Sequence, residues 1–358
     1  MPPSLCCYRD KRHKLTGYED LYSDSDTDLD DEKSVPLLNE SFLEETTTVL
    51  GLRAVSLEDK QCNVLRQALI RDGYSVDDFT DDKMMKRYYA ASKGDMDKAL
   101  AALKDTIEWR SNENINQYSS LFSRKQTDEM QDLANTIRFE NATGKAYVRG
   151  YTHDGHATLV LHPSRENSSA GKDSIKHLVY NLERAIACSQ RRSLNTVDSL
   201  NIIICFEGYT MSNAPSLATT KETISILQNH YPERLKNCYM VNTPSVFSFL
   251  WSIAKPFIDP VTRSKIVFIR GEKARETLSE IYDLDQVEEI ANGRATRGFN
   301  SDEYLRHPFF TAFAEMDSVN SNPIKGETSL DDEVFFDAYS KHSLAFSRNE
   351  NDNQHTLT

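Results

Sequence analysis

Asn201-Ile-Ile-Ile-Cys-Phe206 is the stretch that decides the fold. It is short, apolar and rich in β-branched residues, a composition suited to a pleated surface covered on both sides. Thr158–Leu161, Cys238–Val241 and Lys265–Ile269 share that character. Between these runs lie helical stretches near 173–189, 215–229 and 245–256, with Pro215 suited to a first helical position. Strands this far apart need crossover connections, which predicts an α/β fold: a mostly parallel sheet covered by helices.

Working outward, Ser56-Leu57-Glu58-Asp59 has the form of a capping box, and Val64, Leu65, Ala68 and Leu69 follow at helical spacing. Two more helices are expected over 82–92 and 95–110, the latter with Leu100, Leu103 and Ile107 on one stripe. The chain therefore divides into a tail over 1–55, a helical segment over 56–115, an α/β domain over 116–300 and a second tail over 301–358. Both ends are acidic. Residues 1–60 carry seven Lys/Arg against fourteen Asp/Glu and residues 300–358 four against eleven, so each end is −7 and together they account for the whole net charge of −13. Runs such as Asp24-Ser-Asp-Thr-Asp-Leu-Asp-Asp-Glu32 cannot bury themselves and read as solvated, disordered chain. Phe309, Phe310 and Phe313 suggest one short packed element within the second tail.

A near-neutral middle lacks the basic stripe of a nucleic-acid binder. No apolar run reaches the length of about 18 residues needed to span a bilayer, and no apolar signal segment opens the chain, so a cytoplasmic or peripheral protein is expected. The six cysteines match no zinc spacing; Cys188, Cys205 and Cys238 sit in apolar surroundings and read as buried free thiols. Cys6 and Cys7, beside Arg9, Lys11, Arg12 and Lys14, form a candidate palmitoylation site that the adjacent acidic run opposes. No dinucleotide, phosphate-loop, serine-hydrolase or zincin motif is present. His153 and His156 flank an expected turn at Asp154-Gly155, which accounts for them better than a metal pair does. No catalytic residue, metal or cofactor is assigned.

Three blocks in register, Tyr231-Pro-Glu-Arg-Leu235, Val241-Asn-Thr-Pro244 and Lys255-Pro-Phe-Ile-Asp-Pro-Val-Thr-Arg-Ser-Lys-Ile266, resemble the signature of CRAL-TRIO domains in the phosphatidylinositol-transfer branch. His177-Leu-Val-Tyr-Asn-Leu-Glu-Arg-Ala185, Phe206-Glu-Gly-Tyr-Thr-Met-Ser212 and the stretch from Lys93 to Arg110 extend the resemblance to roughly residues 57–300. It implies a sheet flooring a lipid pocket, roofed by a helical gate, with a small all-helical segment in front. It also implies a phosphatidylinositol grip from Glu233, Thr262 and Lys265: the lysine neutralises the phosphodiester, the threonine donates a hydrogen bond and the glutamate accepts from inositol hydroxyls. Thr210 and Ser212 match the family's phosphocholine contacts. Ala90 and Ser92 depart from the pattern, standing where basic residues are usual, as does Gly155-His156-Ala157 in place of Gly-Arg-Pro.

In the gate segment Ser245, Ser248 and Ser252 share one face, while Phe247, Phe249, Leu250, Trp251, Ile253 and Phe257 occupy the others. So apolar a helix must bury two sides. An ordinary core helix is the alternative, as a surface ion pair of Glu233 with Lys265 or Arg234 is for the grip. The expected function is binding and intermembrane transfer of phosphatidylinositol, with phosphatidylcholine as a candidate second lipid. Rival readings are a sensor presenting phosphatidylinositol to a lipid kinase and a carrier of another hydrophobic small molecule. The expected partners are a phospholipid and, transiently, a membrane surface; the expected state is a monomer.

Overall fold

The computed structural model describes residues 56–76, 80–122, 130–168 and 171–316. Ser56 caps the first helix, α1 (Leu57–Arg71), its hydroxyl accepting the Asp59 N–H at 3.1 Å. Asp81 and Asp95 cap α2 (Asp82–Ala91) and α3 (Met96–Asn112) in the same way. Leu65, Leu69, Met84, Met85, Leu103 and Ile107 from these three helices interlock as a core of their own. Then come α4 (Gln131–Asn141), β1 (Ala146–Tyr151), β2 (Ala157–Leu161), α5 (Gly171–Arg192), β3 (Leu200–Cys205), α6 (Leu217–His230) and β4 (Leu235–Val241). The described chain continues through α7 (Phe247–Ala254), α8 (Pro260–Ser264), β5 (Ile266–Ile269), α9 (Gly271–Ser279) and α10 (Ser301–Arg306).

The five strands lie in sequence order; β1 and β2 are antiparallel and every later pair is parallel. Right-handed crossovers that all step in one direction place their helices on one face. Alternation then divides the sheet. Leu159, Leu200 and Ile202 pack with α5, whereas Val160, Ile203, Cys205, Tyr239, Val241 and Ile269 pack with Ala274, Leu278, Tyr282, Leu284 and Val287, which follow β5.

Several expectations need correction. Strand β1 escaped the sequence reading because Arg149 and Gly150 interrupt its apolar character, yet Arg149 is buried. Its guanidinium donates to the Gln286 carbonyl at 2.9 Å and lies 3.9 Å from the Glu288 carboxylate, which makes the burial tolerable. Pro215 is not the first residue of α6; it precedes the cap, Ser216, whose hydroxyl accepts the Thr219 N–H. The chain also does not leave the fold at residue 300. Tyr304, Phe309, Phe310, Phe313 and Met316 join the main core, and the Tyr304 hydroxyl accepts from Val148 N–H and donates to Asn181 Oδ1, both at 2.9 Å. Residues 1–55, with Cys6 and Cys7, and residues 317–358 lie outside the described residues.

No helix among the described residues is long and apolar enough to cross a membrane. Cys188, Cys205 and Cys238 are buried and unpaired, and burial pushes their thiols up to about 12, 11 and 12 respectively, which disfavours thiolate chemistry.

Candidate functional site

The sheet register aligns two apolar rows: Leu159, Ile202, Cys238 and Ile266, and Leu161, Ile204, Met240 and Phe268. Cover thins along them. Leu159 is fully buried, whereas Phe268 at the β5 edge is 43% exposed. The helices above this end, α6, α7 and α8, contain no buried residue.

Phe247 and Leu250 of α7 face the floor, packing with Phe206, Met240 and Ile266. The Phe247 ring lies 4.6 Å from that of Phe206, and Trp251 meets Phe268 edge-on at 5.4 Å. Phe249, Ile253 and Phe257 are exposed, with the Lys221 ammonium 5.0 Å from the Phe257 ring. The expectation of two buried sides is therefore met on one side only by protein. An apolar helix over a half-covered apolar floor offers a place for hydrocarbon.

Parallel strands put the loops before β4 and β5 at one end of the sheet and the loop after β3 at the other. Glu233 immediately precedes Arg234 and β4, and Lys265 immediately precedes β5. Their side chains meet, Lys265 Nζ lying 3.3 Å from Glu233 Oε2. This is the surface pair that the alternative reading anticipates, and by itself it contributes little stability. Thr262 sits on α8, less than a turn before Lys265. Partial burial raises the Asp259 pKa, but hydrogen bonds from the Thr262 hydroxyl and N–H and from Gln228 of α6 outweigh it and hold the carboxyl below its usual value. The Thr262 N–H caps onto Asp259, donating to Oδ1 at 2.9 Å.

Thr210 and Ser212 lie beyond the far end of β3, about 20 Å away at strand rise. Their hydroxyls are 2.7 Å apart, and Thr210 is also bonded to Asn213. The structure therefore brings Glu233, Thr262 and Lys265 together and keeps Thr210 and Ser212 apart from them. His156 packs by Ser199, with Nδ1 3.4 Å from the hydroxyl. No cluster of three metal-ligating side chains occurs among the described residues.

Sequence reasoning missed the polar network behind the Glu233 turn. Glu183 is buried and receives two bonds from Arg110, at 2.6 and 3.1 Å, and one from the Tyr231 hydroxyl at 2.7 Å. Burial pushes the Glu183 carboxyl up, but the Arg110 charge and these bonds outweigh it and hold the carboxyl below its ordinary value. Asp198 bridges Arg87 and Arg234. One signal was available: Glu183 and Arg184 interrupt the apolar side of α5, and a core helix tolerates such charges only when they are paired. Arg184 is indeed satisfied, stacking 3.7 Å from the Tyr304 ring and donating to the Thr311 carbonyl at 2.9 Å.

The CRAL/TRIO domain model matches residues 141–293, a narrower span than the 116–300 expected. The chain is 32% identical over 218 residues to CRAL-TRIO domain-containing protein C23B6.04c of Schizosaccharomyces pombe, covering 61% of this chain and 19% of that one. It is 26% identical over 190 residues to phosphatidylinositol transfer protein PDR17 of Saccharomyces cerevisiae, covering 51% and 50%. Phosphatidylinositol transfer protein CSR1 of Eremothecium gossypii is 26% identical over 221 residues, covering 61% and 48%. The chain thus spans half or less of the length of these relatives. A crystal structure of Sfh5 aligns with 74% of this chain and 89% of that one, at 15% identity and a TM-score of 0.48.

Proposed function

Residues 141–293 of this chain are a CRAL/TRIO domain, and on that premise we propose that the protein binds one phospholipid and carries it between membranes, phosphatidylinositol first and a choline lipid second. The observation that carries the reading is the half-covered apolar floor with the Glu233–Lys265 pair at one end. A two-chain lipid hides about 30 methylenes at ~0.8 kcal/mol each, so unaided desorption faces a barrier of roughly 24 kcal/mol. A carrier lowers it by offering apolar surface of its own while docked. Here the chains lie between the sheet and α7, which swings to admit them at the bilayer.

Lys265 meets the phosphodiester and Glu233 accepts from ring hydroxyls, the two exchanging their mutual contact for the ligand. Thr262 adds a hydroxyl. Thr210 and Ser212 serve the choline lipid at the other end. No bond is made or broken, so the protein is not an enzyme, and its contact with the membrane is transient. An uncharged hydrophobe would leave the lysine without a ligand partner.

Native mass spectrometry of the full chain, with the bound lipid identified, tests this directly. The expected result is one phospholipid per chain, exchanged for labelled phosphatidylinositol from vesicles. A retinoid-like or other uncharged ligand, or no exchange with vesicles, overturns it.

A further inference from the structure

Glu233 has a backbone φ of +55°, a left-handed conformation that a residue with a side chain adopts only when its surroundings impose it. It lies in the turn Tyr231-Pro232-Glu233-Arg234 between α6 and β4, and what holds that turn comes largely from the N-terminal helices. The Tyr88 hydroxyl of α2 donates to the His230 carbonyl at 3.2 Å. The Thr106 hydroxyl of α3 lies 3.2 Å from the Asn229 carbonyl and 2.9 Å from His230 Nδ1. Trp109 stacks on the His230 ring at 4.2 Å and meets the Tyr231 ring edge-on at 6.0 Å.

Two charged anchors flank Glu233 more closely. On one side Tyr231 is tied to Glu183, which Arg110 of α3 holds with two bonds. On the other side Arg234 Nη1 lies 3.1 Å from Asp198 Oδ2, and the same carboxylate oxygen pairs with Arg87 of α2. The Arg234 carbonyl also accepts the Leu200 N–H at 2.8 Å, binding this side of the turn to β3. With Tyr231 and Arg234 both fixed, the backbone between them has little freedom, and the Glu233 carboxylate is aimed at Lys265.

We infer that the N-terminal helices set the headgroup preference: Arg87 and Asp198 on one side, and Arg110 and Glu183 on the other, are positioning residues that hold Glu233 where a polyhydroxylated headgroup can be read. The inference rests on the phosphatidylinositol grip proposed above. A choline headgroup has no hydroxyl to offer Glu233, so loosening the turn weakens one ligand and spares the other. The outer anchor is the practical target. Arg87 and Asp198 side chains are 12% and 22% exposed, whereas Arg110 and Glu183 are buried, and breaking that pair threatens the fold itself.

The test uses the full chain and labelled phosphatidylinositol and phosphatidylcholine moving from donor to acceptor vesicles, alongside hydrogen exchange of the 230–236 amides. Arg87→Gln and the isosteric Asp198→Asn should each slow phosphatidylinositol transfer about fivefold or more, a modest effect for a displaced binding group. Phosphatidylcholine transfer should stay within about twofold. Exchange at 230–236 should quicken, Arg87→Lys should restore most of the lost preference, and the double variant should be no worse than Asp198→Asn alone, because that substitution already removes the partner of Arg87. Lys265→Ala is the control for the grip. If it depresses phosphatidylinositol transfer while Arg87→Gln and Asp198→Asn leave the ratio of the two lipids and the amide exchange unchanged, the positioning role is refuted and the grip survives. Equal slowing of both lipids would reduce the anchors to general structural supports and refute it too. If Lys265→Ala changes nothing, the grip fails and the positioning role fails with it.

Discussion

Replacing Phe249 by alanine separates what α7 does for the fold from what it does at a membrane. Phe249 is 63% exposed, so its loss should change the stability of the free protein by no more than about 0.5 kcal/mol. A phenylalanine side chain can bury ~200 Å². The exposed share here is therefore roughly 125 Å², worth about 3 kcal/mol at ~25 cal/mol/Å² if it enters the bilayer. At 1.4 kcal/mol per tenfold, docking should weaken by about a hundredfold. Vesicle-to-vesicle transfer of labelled phosphatidylinositol and phosphatidylcholine, with thermal unfolding measured in parallel, reads both quantities. Both lipids should slow by the same factor, because docking precedes headgroup choice, and the melting temperature should hardly move. Trp251→Asp should behave differently and lower the melting temperature as well, because that ring packs on Phe268. Parent transfer rates in a folded Phe249→Ala variant would show that α7 is an ordinary surface helix and that the bilayer is met elsewhere.

Lys265→Ala should lower phosphatidylinositol transfer at least about tenfold and spare phosphatidylcholine, since a charge-assisted hydrogen bond contributes ~1.5–3 kcal/mol; equal rates for parent and variant would remove Lys265 from the site. Burial holds His177 neutral, pushing its pKa from 6.5 down to about 3. The unfolded chain therefore binds the extra proton first, and stability present above pH 6.5 is lost as pH falls toward 3. Linkage sets the loss at ~1.4 kcal/mol per pH unit, or about 2 kcal/mol between pH 6.5 and 5. Denaturant melts of the parent and His177→Asn should show a shallower pH dependence in the variant, and identical slopes would contradict the assignment. Ending the chain after residue 300 removes Tyr304, Phe309, Phe310 and Phe313 from the main core and should leave it unfolded, whereas ending after Met316 should preserve cooperative melting; circular dichroism distinguishes the two.

Local spacing carried much of the architecture. The runs at Thr158, Asn201, Cys238 and Lys265 became strands, and the helical stretches between them became crossovers, because side-chain period and chain connectivity are written along the sequence. Helix α7 was legible for the same reason, as an apolar segment with serines on one face. What tertiary structure decided is pairing and cover. Arg149 could join β1 only because Glu288 and the Gln286 carbonyl meet it across the fold. That the core continues past residue 300 depended on Tyr304 and Phe313, which complete it from a distance. The sequence showed that Phe247, Phe249 and Trp251 cannot all face one partner, but which of them turns from the sheet depended on how α7 sits over β3 to β5. The anchors at Arg87 and Asp198 were invisible for the same physical reason: a charge shows in the sequence, but its partner, and hence whether it can be buried, is set by neighbours brought together only in the folded chain.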